Sequence, residues 1–160
     1  MKIGLYTKED EQAVIDLILN IQQNEFGVPV TIADQPDLLD VANVYCKGNG
    51  NFWIIKDDQK LVGSIALIDT GNRQSALRKM FVHKDYRGKE MGIGQQLLDH
   101  VIGWCRQHGI DEIYLGTFDR LLAAQRFYAK NGFVLIEKHS LPAAFPVMPV
   151  DNRFFKLVIQ

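Results

Sequence analysis

The run Tyr86-Arg87-Gly88-Lys89-Glu90-Met91-Gly92-Ile93-Gly94-Gln95 gathers the groups in this chain best suited to hold an anion. A helix N-terminus presents unpaired N–H groups and the positive end of the peptide dipole, and glycines at 92 and 94 let a bulky anion approach the backbone. A pyrophosphate suits that chemistry. Arg78, Lys79, Lys84, Arg87 and Lys89 crowd the same stretch against only Asp85 and Glu90, in a chain whose formal net charge is −1. A turn with a solvated charge cluster would have the same composition, so glycines and charge alone leave the two readings even. The spacing does exclude two common phosphate loops. No glycine is followed by Lys and then Ser or Thr, as a Walker loop requires, and Leu97 stands where a dinucleotide GxGxxG fingerprint needs its third glycine.

The elements around the loop can be read from periodicity. The strand Ala76 to Val82 precedes it, and the helix Gly92 to His108 follows, with Leu97, Leu98, Val101, Trp104 and Cys105 on one face and Gly109 as its stop. Upstream, a strand at Lys2 to Tyr6 leads through a Thr7/Asp10 capping signal into a helix over 8–23. A second helical segment covers Asp37 to Tyr45, and a hairpin is formed by Phe52–Ile55 and Leu61–Ile68. Downstream come a strand at Ile113–Leu115, a helix from Leu121 to Lys130, and strands at Phe133–Glu137 and Arg153–Ile159. The intervening loop, Ser140 to Val150, carries Pro142, Pro146 and Pro149. This order predicts an α/β fold of the α+β mixed-sheet kind, with helices flanking a central sheet, in one domain over residues 1–160.

Composition narrows the setting. A chain of 160 residues, 47% hydrophobic and 23% charged, supports one full core. The N-terminus has no apolar stretch of signal-peptide length, and nothing approaches a membrane span, so no membrane partner is expected. Cys46 and Cys105 form no CxxC or Cys/His pattern, and His83, His100, His108 and His139 share no ligand-like spacing. No disulfide framework or metal site is therefore expected, and a cytoplasmic location is. The balance of 18 Lys and Arg against 19 Asp and Glu argues against a general nucleic-acid binder.

The run Leu77-Arg78-Lys79-Met80-Phe81-Val82, then Tyr86-Arg87-Gly88, Gly92-Ile93-Gly94 and Leu97-Leu98, then Ala124-x-x-Phe127-Tyr128-x-Lys130-x-Gly132-Phe133, resembles the GNAT family of acetyl-CoA-dependent N-acetyltransferases. The order of elements resembles the whole family fold, and the motifs span about residues 77 to 133. The resemblance implies acetyl-CoA or a similar acyl-CoA as cosubstrate. By it, the strand carrying Met80, Phe81 and Val82 lines the pantetheine arm. Arg87, Gly88, Lys89, Met91, Gly92, Ile93, Gly94 and Gln95 belong to the pyrophosphate loop, and Ala124 leaves room for the cofactor sulfur. Two departures stand out: Glu90-Met91 is added to the usual loop with Lys89 in its first position, and Leu121 stands where many members carry an Asn that contacts the cofactor arm.

Amide formation needs a neutral amine, donors for the developing oxyanion and a partner for the departing thiolate. The resemblance gives the first donor to a backbone N–H near Phe81 or Val82 and the thiolate partner to Tyr128. A Tyr of pKa about 10 giving its proton fully to a thiolate of pKa about 8.5 is uphill by roughly 2 kcal/mol, so stabilisation by hydrogen bonding is the expected role. His83, Glu25, Asp69 and Asp119 lie at loop ends that could face the acceptor, and none stands out as a base. By the same resemblance Glu25, Phe26, Phe145 and Met148 are expected on the acceptor wall. The acceptor itself, a small-molecule or protein amine, stays open, as does assembly, a homodimer included. An acyl-CoA-binding or sensing module without turnover is the competing expectation, favoured by Leu121 and disfavoured by Tyr128.

Overall fold

Short continuous apolar runs in the middle of the chain build a sheet with two buried faces. In the computed structural model, which describes residues 1–160, one seven-stranded sheet runs in the order β1-β2-β3-β4-β5-β7-β6. Its strands are β1 (Lys2–Leu5), β2 (Asn51–Asp57), β3 (Lys60–Gly71), β4 (Gln74–Val82), β5 (Glu112–Thr117), β6 (Val134–Ile136) and β7 (Arg153–Val158). All neighbours pair antiparallel except β4 and β5, which run parallel. Trp53, Ile55, Ile65, Leu67 and Leu77 point to one face and meet Leu97, Leu98, Val101 and Cys105 of α3 (Ile93–Gln107) and Tyr128 of α4 (Leu122–Lys130). Phe52, Ile54 and Ala66 point the other way, against Val14, Leu17 and Ile18 of α1 (Glu11–Leu19) and Val41 and Tyr45 of α2 (Val41–Tyr45). Each large side chain buried in this way stabilises the fold by about 2 kcal/mol, which commits both faces to their helices.

The ends of the elements follow local chemistry. The Thr7 N–H donates to Asp10 Oδ2 at 2.9 Å, the capping signal seen in the sequence, and a single 3-10 turn at Lys8–Asp10 leads into α1. The helix expected over 8–23 does not fray at its far end; it widens into a π-helical turn, Asn20–Glu25. The segment expected as one helix over 37–45 is two pieces, a 3-10 turn at Pro36–Leu39 and α2, because the backbone of Asp40 (φ −147°) leaves the helical region between them. The proline-bearing loop after β6 packs on the α1 side, where Phe145 meets Ala76, Tyr114 and Phe154.

Two irregularities of β4 shape the site. It pairs with β5 only through Gln74, Ala76 and the residue between them, opposite Glu112 to Tyr114, and from there the two strands part. Against β3 its register runs from Ser64↔Phe81 to Ala66↔Arg78, two steps on one strand and three on the other, so β4 carries an extra residue. Lys79 takes up the bulge at φ +54°, a left-handed conformation that costs a side-chain-bearing residue about 1 kcal/mol. Ser64 Oγ donates to the Lys79 carbonyl at 2.7 Å and fixes it there. The bulge interrupts the alternation: Leu77 and Met80 face α3, while Arg78 and Lys79 both face the α1 side.

Candidate active site

The gap between β4 and β5 is a groove holding about 880 Å3 of empty space, its open mouth included. Leu77, Arg78, Lys79, Met80 and Phe81 line it from β4, Leu115 to Phe118 from the β5 side, and Leu121, Ala124 and Tyr128 from the α4 region. Gln22, Val28 and Val30 close it near the π-helical turn, and Met148, Val150 and Asp151 close it from the loop before β7. Segments far apart in sequence thus meet because the parallel pair splays.

The N-terminus of α3 opens beside this groove. Gly92 caps the helix at φ +62°, the left-handed conformation that glycine adopts without penalty, and no side chain caps it. The N–H of Gln96 bonds to Gly92 O, while those of Ile93, Gly94 and Gln95 find no acceptor in the protein. A Cβ at Gly94 would lie 3.7 Å from Met80 Cε and 3.8 Å from Phe127 Cζ, so the glycine keeps space between the loop and the groove. An extended ligand with an anionic diphosphate at one end fits these features: free donors at the helix end and an apolar channel leading from them. The side chain of Ile93 is buried in the core, so only its backbone is available. Gln95 bonds to Asp99 and Asn131, and Lys89 and Met91 are exposed.

Arg87 is engaged elsewhere. Its Nη2 pairs with Glu25 Oε2 at 2.5 Å, its Nε donates to Val82 O at 2.8 Å, and its guanidinium lies 5.8 Å from the centre of the Phe26 ring. Arg87, Glu25 and Phe26 therefore form one latch between the π-helical turn and the chain after β4, with Gly88 (φ +111°) turning the backbone beyond it. Phe145 lies in its own small cluster away from the groove, and Met148 lines the groove. His83 Nδ1 accepts from the Asp85 N–H, Asp69 accepts from the N–H groups of Asn49 and Gly71, and neither these residues nor Asp119 line the groove.

Tyr128 stands at the groove floor. Its hydroxyl has one partner, Met80 Sδ at 3.9 Å, a weak acceptor that leaves the O–H free for a better one. Burial, and secondarily the charge of Asp151, push its pKa well above the ordinary phenol value, so it stays protonated.

Sequence reasoning missed the polar groups facing it. Asp151 lies over Gly116, where a Cβ would come within 2.7 Å of Asp151 Oδ2. Burial raises its pKa, and the Arg78 charge pulls the other way. Arg78 Nη2 donates to Met148 Sδ at 2.9 Å. Lys79 Nζ donates to Gln35 Oε1 at 2.6 Å and lies 3.5 Å from Asp37 Oδ2, and burial brings its pKa down to about 8 against the pull of Asp37. Arg78 and Lys79 are close to the basic loop in sequence. The strand holds them away from it, on the α1 side. Only the glycine opposite Asp151 could have signalled that carboxylate, and the two lie far apart in sequence, one in β5 and the other in the loop before β7.

The model of the acetyltransferase (GNAT) family matches residues 15–133. A GNAT-family acetyltransferase from Staphylococcus aureus Mu50, known from its crystal structure, is 44% identical and superposes over 99% of both chains with a TM-score of 0.95. PaiA N-acetyltransferase from Thermoplasma acidophilum, solved in complex with coenzyme A, superposes over 97% of this chain and 96% of its own at TM-score 0.77; at 18% identity it is a likeness of fold. A probable N-acetyltransferase camello from Xenopus tropicalis is 30% identical over 110 residues, 67% of this chain and 49% of its own. The chain spans about half the length of the first curated relatives it matches. No helix is long and apolar enough to cross a membrane.

Proposed function

Since the chain belongs to the acetyltransferase (GNAT) family, we propose that it transfers an acetyl group from acetyl-CoA directly to an amine, in the cytoplasm. The observation that carries this reading is the junction of a helix end with three free N–H groups and a groove floored by a Tyr128 hydroxyl whose one partner is a thioether. The coenzyme A complex of the Thermoplasma relative supports the choice of cosubstrate. When bound, acetyl-CoA supplies the activated acetyl group: the amine nitrogen–carbon bond forms, the carbon–sulfur bond breaks, and the amine's proton is balanced by the one the thiol gains.

The chain's residues then divide the work. Ile93, Gly94 and Gln95 offer backbone N–H groups to the diphosphate, and Met80, Phe127 and Ala124 border the channel for the pantetheine arm. Tyr128, kept protonated by burial, donates a hydrogen bond to the leaving sulfur. Asp151, half-buried at the other side of the floor, holds the amine and takes up its proton. Lys79 is committed to Gln35 and Asp37 and acts as a strut.

Thiol release from acetyl-CoA in the presence of a mixed amine pool tests the reading. Release that depends on the amines is expected; tight coenzyme A binding with no release above hydrolysis would mark a binding module instead.

A further inference from the structure

The groove wall contains a second pairing of groups, one that bears on the choice of amine. Arg78 is half-buried, takes part in no ion pair, and spends its guanidinium on the thioether of Met148. A thioether is a poor acceptor, whereas a carboxylate matches the guanidinium fork with two parallel hydrogen bonds. Asp151 likewise takes part in no ion pair, and the missing side chain at Gly116 gives it its place on the same face of the sheet. The bulge in β4 matters here, because it turns Arg78 and Lys79 to one side together and lets Lys79 absorb Asp37. Arg78 is left as the uncommitted cation of the wall and Asp151 as its uncommitted carboxylate.

We infer that the acceptor is a zwitterion, an amino acid or close analogue whose carboxylate binds Arg78 while its ammonium group meets Asp151 beside Tyr128. This rests on the acetyl-transfer reading and narrows it. A carboxylate docked on Arg78 displaces Met148 and neutralises a cation that the groove partly desolvates; an amine without one leaves that cation on its thioether. The N-terminus of a peptide has no carboxylate next to its amine, so the same geometry disfavours protein acceptors.

Matched acceptors separate the possibilities. Alanine, phenylalanine and lysine are each compared with their carboxamides, whose amines are the more easily neutral, so a preference for the acids cannot arise from basicity. The acids are expected to give a kcat/KM at least about 10-fold higher. Arg78→Gln is expected to lower kcat/KM for the acids about 10- to 100-fold more than for the carboxamides, any change common to both reporting the altered charge around Asp151. Should Arg78→Gln fail to fold, Arg78→Lys keeps the charge, loses the fork and is expected to reduce the preference. Equal use of acids and carboxamides by the wild-type protein overturns the inference and leaves acetyl transfer intact. Calorimetry of the same acids on the coenzyme A-saturated protein covers the opposite case. Arg78-dependent binding without thiol release would sustain carboxylate recognition while overturning acetyl transfer, and absence of binding together with absence of turnover overturns the inference.

Discussion

Tyr128 and Asp151 owe their behaviour to the same lack of water, which disfavours the charged form of each. Burial keeps the phenol protonated, which suits a donor to a developing thiolate, and raises the Asp151 pKa, which makes that carboxylate a better proton acceptor than an exposed one. Tyr128→Phe removes the hydroxyl and keeps the ring, so kcat is expected to fall about 10- to 1,000-fold with acetyl-CoA affinity little changed. Wild-type kcat in a folded variant, with chemistry limiting turnover, would remove Tyr128 from the reaction. An aliphatic amine of pKa near 10.4 is neutral in only about one molecule in 2,500 at pH 7. The kcat/KM for such an acceptor is therefore expected to climb between about pH 6 and 8.5 in both proteins. Gly116 tests the carboxylate without replacing Asp151: an added Cβ would lie 2.7 Å from Asp151 Oδ2 and 3.0 Å from Phe154 Cε1. The carboxylate is the flexible end of its side chain, so Gly116→Ala is expected to cost about 1 kcal/mol of stability, yet to depress kcat/KM by 10-fold or more, roughly as Asp151→Asn does. A Gly116→Ala protein with unchanged kinetics would place Asp151 outside the reaction.

At the scale of elements, the site is a consequence of β4 parting from β5 beside the end of α3. Gly94→Val would put two methyl groups toward Met80 and Phe127, at the point where the channel leaves the helix end. Coenzyme A affinity measured by calorimetry is expected to fall at least 10-fold with α3 intact; unchanged affinity would move the diphosphate elsewhere. The helix and its loop were legible in the sequence because Leu97, Leu98, Val101 and Cys105 repeat at helical spacing behind Gly92 and Gly94. Strands β2 to β4 are legible as short apolar runs separated by the polar turn at Asp57 to Lys60 and by Gly71-Asn72. The bulge is not, since Arg78-Lys79-Met80 has no glycine to announce a positive φ, and the cause, Ser64 holding the Lys79 carbonyl, lies 15 residues away on another strand. The position of Asp151 was hidden for the same reason: only the fold brings the loop before β7 over a glycine of β5. Glu25 and Phe26 were read as acceptor wall, and their latch with Arg87 is a contact across 62 residues that local pattern does not encode. Short-range periodicity thus located the elements, while the polar groups between them depend on long-range pairing.

Across the whole molecule, Lys79 joins the sheet to the layer of α1 and α2, and the cost of its burial makes that junction sensitive to pH. Its folded pKa is about 8 against an ordinary value of 10.5. Between those values the unfolded chain holds the proton and the folded one does not, so native stability from this group rises with pH, by about 2 kcal/mol from pH 8 to 10. Cys105, buried on the opposite face, acts in reverse: its thiol is held up to about 12 from 9, the unfolded thiol ionises first, and stability is lost above about pH 9. The wild-type curve alone therefore shows a partial cancellation. Lys79→Met keeps most of the buried volume and removes only the first contribution, and Cys105 lies across the sheet from it. Urea denaturation of both proteins at pH 7, 8, 9 and 10 is expected to give a wild-type minus variant difference that is level below pH 8 and then climbs by about 2 kcal/mol. A difference that stays level to pH 10 would mean that the Lys79 ammonium is solvated in the folded protein, and that the β4 bulge holds its side chain for some purpose other than tying the two layers together.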